Sequence, residues 1–224
     1  MRTLIASLAF TLAAAVTATA SDPWTAQFAL DPKDLAAEGR NPYFVLEPGY
    51  TLVLGDADER LTIRVLDETR EVDGVRTRIV EEREEKNGQV VEVSRNFYAI
   101  SRRTNSVFYF GEEVDMYKDG KIKDHEGSWL AGVNGAKAGL MMPGLPLIGA
   151  SYFQELAQGV AMDRARIESL EERMTTPAGE FANVLKIAES TPLEKFAHEN
   201  KYYAAGIGLI QDGSLKLIKH SVER

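Results

Sequence analysis

Cysteine is missing from all 224 residues, which excludes disulfides, thiol catalysis, thiolate metal sites and a lipid anchor on an amino-terminal cysteine. Histidine is scarce, at three residues, and no His-Glu-x-x-His spacing occurs, so a zinc hydrolase of that design is excluded. The Gly-x-Ser-x-Gly elbow of serine hydrolases is absent too. Positive charge is the minority sign: 26 Lys and Arg face 34 Asp and Glu, a formal charge of −8. Such a chain carries no electrostatic footprint for nucleic acid, and anionic lipid repels it. Past the first twenty residues no apolar run is long enough to span a bilayer. A hydrophobic content of 44% is ordinary for a folded domain, so the core must supply the stability.

The amino terminus is organised differently. Arg2 gives a positive start, Leu4 to Val16 is an unbroken apolar and small run, and Ala18-Thr19-Ala20 offers a small-x-small exit before Ser21. That order reads as a secretory signal. The expectation is cleavage after Ala20, export to the periplasm or beyond, and a mature chain without a transmembrane segment. Removing Arg2 shifts the formal charge from −8 to −9.

Residues 21–42 read as a lead-in, with a short helix expected around Pro32 to Ala36, and residues 43–224 as one β domain. Leu61, Ile63 and Val65 alternate with Thr62 and Arg64, the period of a half-buried strand. Asp73-Gly74, Asn87-Gly88, Asp119-Gly120 and Asp212-Gly213 are the dipeptides two-residue hairpins favour. Thr104-Asn105 and Pro177-Ala178-Gly179 mark further turns. This spacing predicts an all-β antiparallel meander of about ten strands, curved into a half-barrel or open barrel. The charge run Glu81 to Lys86 is expected to be a solvated hairpin arm. Residues 127–149 hold six of the eighteen glycines together with Pro143 and Pro146, a composition that weakens strands. This stretch is expected to be a lid across the barrel mouth or a crossover loop, and functional residues are expected between Asp119-Gly120 and Asp163 because local structure is least consistent there.

Several chemistries are open to these residues. Asp115 to Glu126 partly matches a calcium loop, but Tyr117 and Lys123 occupy ligand positions, so a plain hairpin is the better reading. His125 with Met141 and Met142 supplies imidazole and thioether ligands of the kind Cu(I) prefers. His125 with Glu155 and Asp163 supplies the acid and base a carboxylate hydrolase needs. Trp129, Leu140, Met141, Met142 and Tyr152 are candidates to line an apolar ligand pocket.

The segment Thr176-Pro177-Ala178-Gly179-Glu180-Phe181, with Asn183 to Lys186 and Lys201 to Ala204 running into Gly206 to Ile210, resembles a pattern in uncharacterised exported bacterial β-proteins. Several of those look like half-barrels related to periplasmic lipoprotein carriers. The resemblance implies a fold and a compartment, and transfers no functional residue. Together these readings predict an exported binding or carrier protein for an apolar or amphipathic small molecule, without a cofactor and without nucleic acid as a partner. A copper-handling protein and a carboxylate-based hydrolase are the alternatives.

Overall fold

Turn chemistry sets the strand lengths. In the computed structural model, which describes residues 24–222, Asp73, Asn87 and Asp119 take φ of 50°, 51° and 52°, and the glycines after them take 72°, 74° and 72°. Two successive positive-φ residues make the hairpin turn whose twist matches the flanking strands. The expected secretory signal and its cleavage point lie outside the described residues.

Eighteen strands follow in chain order: β1 (Leu35–Ala36), β2 (Gly39–Asn41), β3 (Phe44–Leu46), β4 (Tyr50–Gly55), β5 (Glu59–Val72), β6 (Val75–Lys86), β7 (Gln89–Ser101), β8 (Val107–Lys118), β9 (Lys121–Asp124), β10 (Trp129–Leu130), β11 (Lys137–Met142), β12 (Ser151–Phe153), β13 (Glu155–Leu156), β14 (Arg164–Thr176), β15 (Gly179–Ser190), β16 (His198–Ala204), β17 (Gly208–Asp212) and β18 (Leu215–Val222). The helix expected near Pro32 is a single 3-10 turn, Pro32–Asp34, capped by the Asp31 side chain. Sixteen strands share one antiparallel sheet, ordered β12-β14-β15-β16-β17-β18-β4-β5-β6-β7-β8-β11-β13 with β1, β9 and β10 attached at its margins. The sheet curls into a nearly closed barrel with an unsealed seam.

The seam has a simple construction. The two strands that end the sheet, β12 and β13, are neighbours in sequence with only Gln154 between them. One pairs with β14 and the other with β11, so a single stretch of chain steps from one edge to the other. That step requires a glycine beneath it: a Cβ on Gly139 would lie 2.1 Å from the Gln154 carbonyl oxygen and 2.4 Å from its carbon. The composition that suggested a lid therefore has a packing reason. Residues 127–149 do not lie across the mouth as a lid. Trp129 and Leu130 pair with Glu112 and Gly111 of β8, and Gly139 and Leu140 pair with Tyr109 and Phe108, which places β10 and β11 in the wall.

The lead-in region supplies the cover instead. Leu35 and Ala36 of β1 pair with Ser101 and Ile100, and the β2–β3 hairpin stands apart from the main sheet and closes one barrel end. Buried Asn41 donates to the Asn105 and Pro143 carbonyls at 2.8 and 3.0 Å, and Gly206 N–H donates to the Pro42 carbonyl at 2.6 Å. These bonds tie the hairpin to turns on several sides of the rim. Phe44 meets Tyr98 edge-on, with centroids 5.0 Å apart.

Strand alternation sorts the two faces of the wall. Arg95 reaches Glu81 at 3.4 Å and Asp115 at 3.5 Å, and Lys186 reaches Glu168 at 2.7 Å, all on the outside. Cross-strand ion pairs of this kind belong to a wall facing water, whereas a lipid-facing barrel wall is apolar. Among the described residues no helix is long and apolar enough to cross a membrane.

Candidate functional site

The inward face gathers partly shielded charge around one space. On β6 the residues pointing inward are Val80, then Glu82, then Glu84; on β7 they are Tyr98, Asn96, Ser94 and Glu92. With Glu112 from β8, Glu155 and Asp163 from the seam, and Glu189 and Glu194 near the far edge, they border a chamber of about 600 Å³. It contains eight carboxylates and one ammonium, that of Lys201. Beneath it, Tyr43, Phe44, Leu52, Ile63, Val65 and Val80 enclose a narrow apolar pocket of about 60 Å³. Glu82, Met141 and Lys201 border both spaces, so the pocket and the chamber lie against each other inside the barrel.

The lone cation is already committed. Lys201 Nζ lies 3.0 Å from Glu189 and 3.5 Å from Asp212. Burial by itself lowers its pKa, but Glu189 and Asp212 outweigh that effect and hold the ammonium well above its usual range. Gln154 Nε2 donates to Glu189 Oε1 at 2.7 Å and leans on Met141 Sδ at 3.7 Å. One amide thus touches side chains from both edges of the seam.

The other carboxyls have no such partner. Glu82 keeps some accessible surface because it borders the chamber, yet protein surrounds it, and this desolvation pushes its carboxyl up to about 8. Desolvation likewise lifts Glu112 to about 7, and it lifts Glu155 well above the carboxylate range with Glu112 and Asp163 adding repulsion. Glu84 and Glu92 sit directly opposite each other across β6 and β7, and like charges in that position repel. Both are raised, by desolvation first.

Tyrosines complete the lining. Tyr98 and Tyr109 stack at 4.6 Å, and Tyr109 donates its hydroxyl proton to Asn96 Oδ1. Against the larger effect of desolvation, Tyr109 and Trp129 also act as donors toward Glu112 and lower its pKa. Asn96 donates in turn to Ser94 Oγ at 3.1 Å and the Val80 carbonyl at 3.3 Å, so its amide is satisfied. Tyr98 is different: it is 3% exposed, and its hydroxyl has no hydrogen-bond partner among the described residues.

Of the residues singled out from sequence, Met141, Glu155 and Asp163 border the chamber. Glu155 and Asp163 are brought together, the Glu155 N–H donating to the Asp163 carbonyl at 3.1 Å. His125 does not join them. It is 65% exposed, and its Nδ1 lies 2.8 Å from the Val114 carbonyl and 3.0 Å from Asp115. The three groups expected to cooperate in hydrolysis are thus not assembled. The copper set fails to converge as well: Met142 is wholly buried in the wall, while its neighbour Met141 faces the lumen. Among the described residues, no three His, Asp or Glu side chains gather closely enough to hold a metal ion. The Asp115 to Glu126 stretch is a hairpin, with Lys118 paired to Lys121 around Asp119-Gly120.

The apolar candidates divide. Trp129 sits one layer behind the lumen, edge-on to Tyr109 at 5.3 Å, its buried indole N–H without a geometric partner although Glu112 lies across the strand from it. Leu140 faces a separate groove with Phe28 and Phe108. Tyr152 is buried with its hydroxyl unpartnered, and desolvation with the nearby Glu189 raises its pKa strongly.

What sequence reasoning missed is Glu82, Glu84, Glu92 and Glu189. The signal was present: alternation applied to the charge run sends Glu82 and Glu84 inward and Glu81, Arg83 and Glu85 outward, so only half of that run is a solvated arm. No family model matches the chain, and neither a curated protein nor a solved structure is detectably similar to it.

Proposed function

We propose that this protein is an exported binding or carrier protein that holds an amphipathic small molecule in the barrel lumen. The observation that carries the reading is the placing of the narrow apolar pocket directly against the large polar chamber, with Glu82, Met141 and Lys201 bordering both. The end of an apolar tail enters the pocket, whose volume of about 60 Å³ takes a few carbons, while the rest of the molecule and its polar end occupy the chamber of about 600 Å³. The loop between β15 and β16 adds support, since Leu193 borders the chamber while Phe196, 85% exposed, stands on the same loop. An apolar rim of this kind eases entry of a tail. The amino-terminal signal pattern and the carboxy-terminal likeness to carrier-related half-barrels agree with the same reading.

Calorimetric titration of the mature chain with hexyl to decyl amphiphiles tests it. Ile63 borders the apolar pocket, and Ile63→Trp fills it. The expected outcome is saturable binding to the native chain, strengthening with tail length, and at least about a tenfold loss in the plugged variant, equal to roughly 1.4 kcal/mol. Binding of no single-chain amphiphile, or undiminished binding by a folded Ile63→Trp variant, overturns the proposal.

A further inference from the structure

We infer that the polar end of this ligand is an organic cation, a protonated alkylamine, seated among Glu82, Glu112 and Glu155 beside the Tyr98 hydroxyl. The inference rests on the carrier reading and specifies the chemistry of what is carried. Two independent observations support it.

The first is a charge imbalance that the fold does not resolve. Lys201 is engaged by Glu189 and Asp212, which leaves Glu82, Glu112 and Glu155 without a cation. Partly shielded from water and without a cation, these carboxyls are held toward their protonated form. An incoming ammonium supplies three donors, no acceptor and a positive charge, which draws the carboxyls into their ionised, acceptor-only form. A carboxylate headgroup meets the reverse situation.

The second is the Tyr98 hydroxyl. Its ring is 3% exposed and lines the chamber, yet the hydroxyl has no hydrogen-bond partner among the described residues. The charges of Glu82, Glu112 and Glu155 all act on it and, after desolvation, help to raise its pKa. The three carboxyls thus influence the phenol without a hydrogen bond to it. A group with three N–H donors suits the phenol oxygen together with two of the carboxyls. The stacked Tyr98 and Tyr109 rings border the same space, and ring faces attract ammonium groups.

The spread of these acceptors selects the kind of cation. They surround a chamber of about 600 Å³, and no three ligating side chains converge on one point among the described residues. A small metal ion requires oxygens within about 2.6 Å. An alkylammonium, with its tail continuing into the pocket below, does not.

Three probes with the same tail separate the possibilities: decylamine, decanol and decanoate, titrated against the mature chain at pH 7.5. Decylamine is expected to bind about tenfold more tightly than decanol, with decanoate weakest. Glu82→Gln/Glu112→Gln keeps side-chain shape, and it is expected to reduce decylamine affinity about tenfold while leaving decanol within about twofold. Tyr98→Phe serves as a second variant and is expected to weaken decylamine about threefold. If decanol or decanoate binds as tightly as decylamine, the cation inference falls and the carrier reading stands. Amine preference unchanged in both folded variants also overturns the inference, because the amine is then held elsewhere on an acidic surface. If none of the three probes binds, the carrier reading falls and takes the inference with it.

Discussion

At one end of the barrel interior Leu52, Ile63, Val65 and Val80 close against Tyr43 and Phe44 of the β2–β3 hairpin; at the other, β6 and its neighbour β7 present Glu82, Glu84 and Glu92. On β6 the change from Val80 to Glu84 occupies only about 13 Å of chain. The floor gains stability by removing apolar surface from water. The mouth does the opposite, holding desolvated carboxyls of like charge together. A single continuous strand can do both because inward and outward positions alternate independently of what lies further along. The contrast suggests that the floor and the seam maintain a shape whose mouth is left electrostatically unsatisfied, and such unsatisfied groups concentrate where proteins act on other molecules.

Breaking the seam removes the frame on which both ends depend. Gly139→Val places a side chain where the Gln154 backbone crosses, 2.1 Å from its oxygen. The expected cost exceeds about 4 kcal/mol, measured by chemical denaturation, with loss of the folded state as the extreme. A loss under about 1 kcal/mol would mean the seam is not held by that crossing.

A smaller effect is expected at the floor. Leu52 is 6% exposed and borders the apolar pocket. Truncation in Leu52→Ala should cost about 2–3 kcal/mol, measured by chemical denaturation at pH 5, below the range in which Glu82 at the edge of the pocket ionises.

The mouth should respond with the opposite sign and with a dependence on pH. Glu82 and Glu112 have folded values of about 8 and about 7, against about 4.3 in an unfolded chain. Between those limits the folded protein holds protons that unfolding releases, so raising the pH favours unfolding. The stability of the native chain should therefore fall from about pH 4.5 to pH 8 and level off above. Glu82→Gln/Glu112→Gln should flatten that fall and gain roughly 1–2 kcal/mol at pH 9, discounted for water in the chamber, or about 4 °C in the unfolding midpoint. A pH profile unchanged in the double variant would show that the mouth is not under electrostatic strain.

Much of the wall was legible before folding. Asp73-Gly74, Asn87-Gly88 and Asp119-Gly120 demand positive φ at consecutive residues, and the structure shows it at all three. Leu61, Ile63 and Val65 alternate inward as read. Glu155, Asp163 and Met141 were singled out and do border the chamber. Residues 127–149, expected as a lid or a crossover loop, contain the wall strands β10 and β11, because glycine content alone does not distinguish a loose segment from one crossed by another backbone. Gly139 is of the second kind. In the lead-in, Leu35 and Asn41 look unremarkable in sequence, and their role follows from strands and turns far away in the chain that they pair with or tie.

The amino-acid sequence by itself determined the strands, their turns, and which residues of each strand share a face, because backbone conformation and side-chain alternation are local properties. It also determined the charge balance and the absence of thiol chemistry. Only the tertiary structure decided that Glu82 and Glu84 face Glu112 and Glu155 across a lumen, that Lys201 is spent on Glu189 and Asp212, and that His125 stands outside. Those relations join residues dozens of positions apart, and they exist only once the sheet has curled far enough for its two edges to be bridged at Gln154.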